Sequence, residues 1–264
     1  MCGIQRNGDI PIGVRERPTM TRLRAAIAFL TQVPMHRTFT AADVGRATLF
    51  FPLVGAAIGG VQAGLLKLTS GMLPPLLLSL CLIVATLWLT GLLHLDGLAD
   101  MADGFGGGHS REETLRIMQD PAVGSFGAIA LVLLLATKAV AISVLIERDS
   151  ATRYLVLAPT LSRWTMVALG RSLPYARLDG GLGSAVSEHS GRMEFIVATV
   201  VAMGITGAVG GSTAITCWVA AALVTAGVGR TCYRRLGGFT GDTLGANAEL
   251  TEVAVLLCAV WATR

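Results

Sequence analysis

The longest stretch without a charged residue runs from Phe195 to Gly229 and contains 35 residues. A transmembrane helix needs about 20 apolar residues, so this stretch is long enough for two helices. The glycines and polar residues from Gly207 to Thr213 predict the turn between them. A second uncharged run, from Met72 to Leu93, is long enough for one more span. These runs indicate an all-α integral membrane protein.

Composition supports the same class of protein. The chain is 53% hydrophobic and only 14% charged, whereas soluble domains carry about 25% charged residues. We expect a polytopic helical bundle of about six or seven transmembrane helices, with short interfacial helices. Residues 1–20 are predicted to be a disordered leader, and residues 21–264 a single membrane-embedded domain. The net charge of +4 is spread over loops and does not indicate nucleic-acid binding.

Three carboxylates follow the second uncharged run at Asp96, Asp100 and Asp103. On a helix this spacing places all three on one face, and no Lys or Arg lies between Lys67 and Arg111 to offset them. Carboxylate oxygens suit Mg²⁺, which also relies on substrate phosphates. Glycines at 104 and 106–108 predict a turn that admits an anion. The alternative is that these carboxylates simply cap and solvate a helix end.

A polar segment follows the carboxylates. Ser110 and Glu113 have the spacing of a capping box, which predicts a short helix from Arg111 to Gln119. The pair Asp120-Pro121 then predicts a turn. Long polar loops in compact proteins are usually functional, so we expect chemistry in this loop.

A second glycine-rich stretch, 237–245, carries Asp242 and precedes the closing apolar helix. Its first turns carry Asn247, Glu249 and Glu252, and the two glutamates share a face. A helix N-terminus attracts phosphate, although capping by Asp242 alone is the alternative. Two carboxylate-plus-glycine elements on different helices therefore predict one shared metal and phosphate site.

Two cations lie inside predicted spans. Lys138 is near the middle of the span 127–146, and Arg163 is inside the span 154–170. A charge in a membrane helix costs about 2.5–3.5 kcal/mol on insertion scales, so each side chain should face a polar cavity or an anion. A carboxylate or a substrate phosphate would serve, and snorkelling is the alternative for Lys138.

Several motifs together resemble one enzyme family. They are His94-Leu95-Asp96-Gly97-Leu98-Ala99-Asp100 with Asp103-Gly104, Ile117-Met118-Gln119-Asp120, and Gly237-Gly238-Phe239-Thr240-Gly241-Asp242. The chain resembles the cobalamin synthase (adenosylcobinamide-GDP ribazoletransferase) family over roughly residues 21–261. The resemblance implies a Mg²⁺-dependent enzyme that joins adenosylcobinamide-GDP to α-ribazole or its 5′-phosphate and releases GMP. It also implies a multi-pass protein of the bacterial inner membrane with a cytoplasmic site, and leaves open homo-oligomers or association with other corrinoid-pathway enzymes.

With the resemblance, the candidate site residues fall into three groups. The catalytic candidates are Asp96, Asp100, Asp103 and Asp120, one of which would accept the hydroxyl proton. The substrate-binding candidates are His94, Gly106, Gly107, Arg116, Lys138, Arg163, Gly238, Thr240, Asp242 and Asn247. The metal-ligand candidates are Asp96, Asp100, Asp103, Asp242, Glu249 and Glu252.

Two rival functions fit the sequence less well. A CDP-alcohol phosphotransferase-like enzyme would need Ala-Arg soon after Asp96-Gly97, but Leu98-Ala99-Asp100 stands there. A cation transporter would carry acidic residues in mid-helix and internal repeats. Here the acidic residues lie at predicted helix ends beside glycines, and the sequence shows no repeat.

Overall fold

The computed structural model describes residues 18–177, 180–181 and 183–264, and within these ranges the fold is all-α. The first described helix begins at Pro18. Residues 1–17 of the predicted leader lie outside the described residues, and the leader and the single domain stay predictions. The helices are α1 Pro18–Leu30, α2 Ala41–Ala47, α3 Phe51–Thr69, α4 Pro75–Thr90, α5 Leu93–Gly107, α6 Arg111–Ile117, α7 Ser125–Glu147, α8 Ala151–Ser172, α9 Ser184–His189, α10 Arg192–Gly210, α11 Ala214–Leu236 and α12 Gly241–Ala262.

Helix α8 forms the centre of the bundle and is buried along most of its length. Helix α3 packs against it so closely that a Cβ on Gly55 or Gly59 would collide with the backbone of α8 at Pro159 or Leu155. Small residues commonly allow membrane helices to approach in this way. The register also shows that α3 and α8 are antiparallel.

Several helices meet the requirements of length and hydropathy for membrane spans. In the described residues, four helical stretches do so: Ala41–Thr69, Ser125–Glu147, Arg192–Leu236 and Gly241–Ala262. If the bent pair α4–α5 forms one span, the number rises to five. Within the stretch 192–236 the chain reverses direction at Gly211. A hydrogen bond across the turn shows the reversal, since Trp218 Nε1 donates to Thr206 Oγ1 at 2.8 Å. The turn predicted at 207–213 is therefore confirmed. The expected total of six or seven spans stays a prediction.

The second predicted span differs from the structure at its end. Helix α4 stops at Thr90, and α5 leaves it at an angle of 92°. Gly91 and Leu92 both adopt left-handed backbone angles, with φ of 64° and 59°, which turn the chain between the two helices. The carboxylates therefore lie on a separate helix that packs against α7 and α12.

Contacts between helices define two ends of the bundle. At one end, which we call the carboxylate end, α5 meets the first turn of α12, and α6 meets the end of α11 and the loop after α8. At the opposite end, Arg148 after α7 donates to the Val260 carbonyl of α12 at 2.6 Å. Tyr154 at the start of α8 hydrogen bonds Thr213 in the turn between α10 and α11 at 3.0 Å.

Candidate active site

The two glycine and carboxylate elements of the sequence meet where α5 crosses α12. Gly97 lies against the backbone of Asp242, and a Cβ at this glycine would stand 2.6 Å from the Asp242 carbonyl oxygen. One turn along α12, Gly245 lies against the backbone of His94. The absence of side chains at these glycines lets the two helices touch. This contact brings Asp96 and Asp100 next to Asp242.

Asp100 lies at the centre of this carboxylate group. It is partly buried, whereas Asp96 is exposed. Asp100 is within electrostatic range of Asp242 and Asp96, and the guanidinium of Arg177 offsets part of this negative charge. Arg177 Nη2 donates to Asp242 Oδ2 at 2.6 Å. We call Asp96, Asp100 and Asp242 the carboxylate cluster.

Asp103, the third carboxylate of the predicted stripe, has another partner. Its oxygens accept hydrogen bonds from the backbone N–H groups of Gly124 at 2.7 Å and Gly127 at 2.8 Å. These are unpaired amides at the start of α7, where a carboxylate is favourable. The structure therefore assigns Asp103 to the N-terminus of α7, and its predicted role as metal ligand or base is not supported by its contacts.

The predicted glycine-rich turn after Asp103 is wrong, because α5 continues to Gly107. Gly106 packs against the ring of Phe126, and the Gly108 N–H donates to Gly104 within the last turn. The free groups at this helix end are carbonyls, and Arg235 donates to those of Phe105 and Gly108. Gly106 and Gly107 are therefore not placed to bind an anion.

The start of α12 is capped by Thr240 and not by Asp242. Thr240 Oγ1 accepts the N–H of Thr243, and Thr243 Oγ1 accepts the N–H of Thr240 at 2.8 Å. Thr240 also donates to Asp242 Oδ2 at 3.2 Å, which helps to orient that carboxylate. Gly238 is buried against the Pro174 carbonyl. Thr240 and Gly238 thus shape the site, and their contacts are with protein.

Four buried charges in the bundle interior pair with one another. Lys138 Nζ donates to Glu249 at 2.7 Å and to Glu252 at 2.8 Å, and Arg163 donates to the other oxygen of Glu252. The prediction that Lys138 and Arg163 face anions is confirmed, and the anions are protein carboxylates. Glu249 and Glu252 therefore belong to this ion-pair network and not to the predicted metal site.

Two other predicted binding residues are also in the interior. Asn247 is fully buried and donates to the Thr165 carbonyl at 3.3 Å and to Thr225 Oγ1 at 3.4 Å. His94 is 2% exposed and lies beside the ion-pair network. Both side chains are buried, and their predicted substrate-binding roles stay predictions.

The polar loop holds the remaining candidates. Ser110 caps α6 as predicted and accepts the Glu113 N–H at 3.1 Å, but the Glu113 carboxylate accepts from His109 and not from Ser110. This bond lowers the pKa of Glu113. Asp120 is exposed and accepts the Ala122 N–H at 2.9 Å, as in a local turn. Arg116 is also exposed, and the roles of both stay predictions.

The comparison with known proteins decides the family. The model of cobalamin-5-phosphate synthase matches residues 22–260, which is most of the chain. The chain belongs to this family. Its members carry out the late step in which the nucleotide loop of cobalamin is assembled.

Three relatives of the chain are each named adenosylcobinamide-GDP ribazoletransferase. The one from Syntrophobacter fumaroxidans is 41% identical, over 89% of this chain and 96% of its own length. The relative from Chlorobium phaeobacteroides is 39% identical, over 92% and 98%. The one from Rhizobium etli is 38% identical, over 89% and 94%. No solved structure matches the chain.

The donor set at the carboxylate end fits a magnesium ion that shares its ligands with a substrate. In the described part of the chain, no three His, Cys, Asp or Glu side chains form a ready-made metal site. Mg²⁺ is usually held by one or two carboxylates together with substrate phosphates and water, so it does not require such a cage. Asp96, Asp100 and Asp242 supply hard oxygen donors on two helices in contact.

Proposed function

We propose that this family member is an adenosylcobinamide-GDP ribazoletransferase with its active site at the carboxylate cluster. It joins adenosylcobinamide-GDP to α-ribazole, or to the 5′-phosphate of α-ribazole, and releases GMP. The observation that carries the proposal is the contact of Gly97 with Asp242, because it brings Asp96 and Asp100 of α5 together with Asp242 of α12 at one end of the bundle.

The reaction is an exchange at phosphorus. The 3′-hydroxyl oxygen of the α-ribazole ribose forms a bond to the phosphorus on the cobinamide side of the diphosphate. The bond from that phosphorus to the bridging oxygen breaks, and GMP leaves with its electron pair. The hydroxyl proton passes to a carboxylate, for which we propose Asp100, since it is partly buried between Asp96 and Asp242. The product is adenosylcobalamin or its 5′-phosphate.

The reaction also needs charge neutralisation, since little covalent chemistry falls to the protein in phosphoryl transfer. We propose that Asp96 and Asp242 hold Mg²⁺, while Asp100 beside them accepts the proton. The bound ion would offset the charge of the diphosphate and of the oxygens that gain charge during transfer. The protein residues orient the diphosphate at the bundle end, and Thr240 and Arg177 hold the Asp242 carboxylate in place.

The distribution of basic residues supports a cytoplasmic active site in the inner membrane. Loops that remain in the cytoplasm carry an excess of Lys and Arg. At the carboxylate end these residues include Arg111, Arg116, Arg171, Arg177, Arg230, Arg234 and Arg235. At the opposite end they are fewer and include Lys67, Arg148 and Arg153. The carboxylate end would therefore face the cytoplasm, where GDP-activated substrates are available.

The test is GMP release by purified protein from adenosylcobinamide-GDP, α-ribazole and Mg²⁺. We expect Asp100→Asn to lower kcat by at least about 100-fold, because it removes the proposed base. Asp149→Asn is the matched control, since Asp149 lies after α7 at the opposite end, and asparagine tolerates its φ of 50°. Near-normal turnover by Asp100→Asn at saturating Mg²⁺ would refute the site. CDP-alcohol and ion-flux assays cover the two rival functions.

A further inference from the structure

Arg177 reaches the carboxylate cluster from a segment that is held firmly in place. The Ala176 N–H donates to the Phe239 carbonyl at 2.8 Å, and the Phe239 N–H donates to the Pro174 carbonyl at 2.9 Å. The rings of Tyr175 and Phe239 meet edge to face, with centroids 5.4 Å apart. The segment before Arg177 is thus fixed to the segment that leads into α12.

A second arginine strengthens this attachment. Arg111 donates through Nη2 to the Ala176 carbonyl and through Nε to the Leu236 carbonyl, both at 2.7 Å. One guanidinium therefore connects the loop after α8 with the end of α11. Because the backbone on both sides of the Arg177–Asp242 pair is held in this way, the guanidinium of Arg177 has a defined position beside the carboxylate cluster.

The guanidinium of Arg177 retains donors that its carboxylate partner does not use. Its Nη2 donates to Asp242, and the side chain is 16% exposed. The Nε atom is buried and has no hydrogen-bond partner among the residues that the structure describes. Guanidinium groups present their N–H groups as a planar fork, which matches two oxygens of a phosphate. A phosphate that approaches Asp242 would meet the exposed part of this guanidinium, and a small rotation of the side chain would bring the unpaired Nε toward it.

The charges at this end of the bundle show why such a donor is needed. The three carboxylates of the cluster face a diphosphate diester that carries two negative charges of its own, and a single Mg²⁺ offsets only part of the total. Among the described residues, Arg177 forms an ion pair with Asp242 of the cluster. A cation fixed beside both partners lowers the repulsion that the substrate meets on arrival.

We propose that Arg177 is a substrate-binding residue that donates to the diphosphate of the nucleotide-activated corrinoid while it holds Asp242. The proposal rests on the proposed function of the carboxylate cluster. It assigns to the loop after α8 a direct part in recognition of a phosphate group, in addition to its packing against α12.

The test is equilibrium binding of adenosylcobinamide-GDP, followed by ultrafiltration and corrin absorbance, without α-ribazole so that no turnover occurs. We expect Arg177→Ala to raise the Kd about 10- to 100-fold, which corresponds to the loss of hydrogen bonds to a charged group. Arg177→Lys keeps the charge but loses the fork, and should show an intermediate Kd. Arg171→Ala, at the exposed end of α8, is the matched control and should bind normally.

A double-mutant cycle separates contact with the substrate from an effect through Asp242. If Arg177 donates to the diphosphate, Arg177→Ala also weakens binding about 10-fold when Asp242 is already Asn. A loss of less than twofold in that background would overturn the proposal and leave Arg177 with a structural role only. A normal Kd for Arg177→Ala would overturn it as well. Absence of GMP release by the wild-type protein would instead refute the proposed function.

Discussion

Replacement of Gly97 by alanine tests whether the active site depends on the direct contact of α5 with α12. The new Cβ would stand 2.6 Å from the Asp242 carbonyl oxygen and 2.8 Å from its Cα, and both are backbone atoms that cannot rotate away. Ordinary contact begins at 3.4 Å, so the helices must separate by about 0.8 Å. This separation moves Asp96 and Asp100 away from Asp242.

The expected effects on stability and activity differ in size. Overpacking costs about 1–3 kcal/mol, and the better helix propensity of alanine returns up to about 1 kcal/mol. The free energy of unfolding should therefore fall by about 0–2 kcal/mol, which leaves the protein folded. A displacement of about 1 Å at reacting groups lowers turnover about 100-fold, so we expect Gly97→Ala to lose most of its kcat.

The assay is GMP release together with thermal unfolding in detergent. Gly64→Ala is the matched control, because a Cβ at Gly64 on α3 would meet no atom within 4 Å. It should keep full activity and equal or greater stability. If Gly97→Ala turned over within twofold of the wild type while it remained folded, the cluster would not depend on this contact, and the reasoning for the site would be wrong.

Two further predictions concern buried polar groups. Lys138→Met should destabilise the protein by about 3–5 kcal/mol, because it leaves Glu249 and Glu252 with one cation in place of two. Lys67→Met, at an exposed position, is the control. Equal melting temperatures for the two variants would contradict the network. Asp103→Ala should lower the free energy of unfolding by about 1.5–3 kcal/mol, because two amides at the start of α7 lose a charged acceptor. Wild-type stability in chemical denaturation would contradict this capping role of Asp103.

The helices and their convergence could be predicted because they follow from local patterns. Uncharged runs indicated the long apolar helices α4, α10 and α11, and Ser110 marked the start of α6. The turn between α10 and α11 coincides with its glycines. The close approach of α5 to α12 was expected from carboxylates and glycines on both elements, since these residues have no reason to occur together on a lipid-facing surface.

The remaining features depend on contacts between residues far apart in the sequence. Nothing in the residues around Arg177 shows that it pairs with Asp242, because the pairing depends on the bridge between Tyr175 and Phe239. Asp103 lies on the same helix face as Asp96 and Asp100, but only Asp103 accepts hydrogen bonds from the start of α7 among the described residues. Spacing on a helix face thus identified the group of carboxylates but could not divide it between catalysis and capping.

The ion-pair network has a consequence for the way this protein enters the bilayer. Its members come from three helices: Lys138 from α7, Arg163 from α8, and both glutamates from α12, which follows α7 and α8 in the sequence. During synthesis, α7 and α8 are therefore made before their anions exist, and an unpaired cation in a membrane helix costs about 2.5–3.5 kcal/mol. Stable placement of α7 and α8 then depends on the arrival of α12, so a helix made later neutralises the charges carried by two helices made before it.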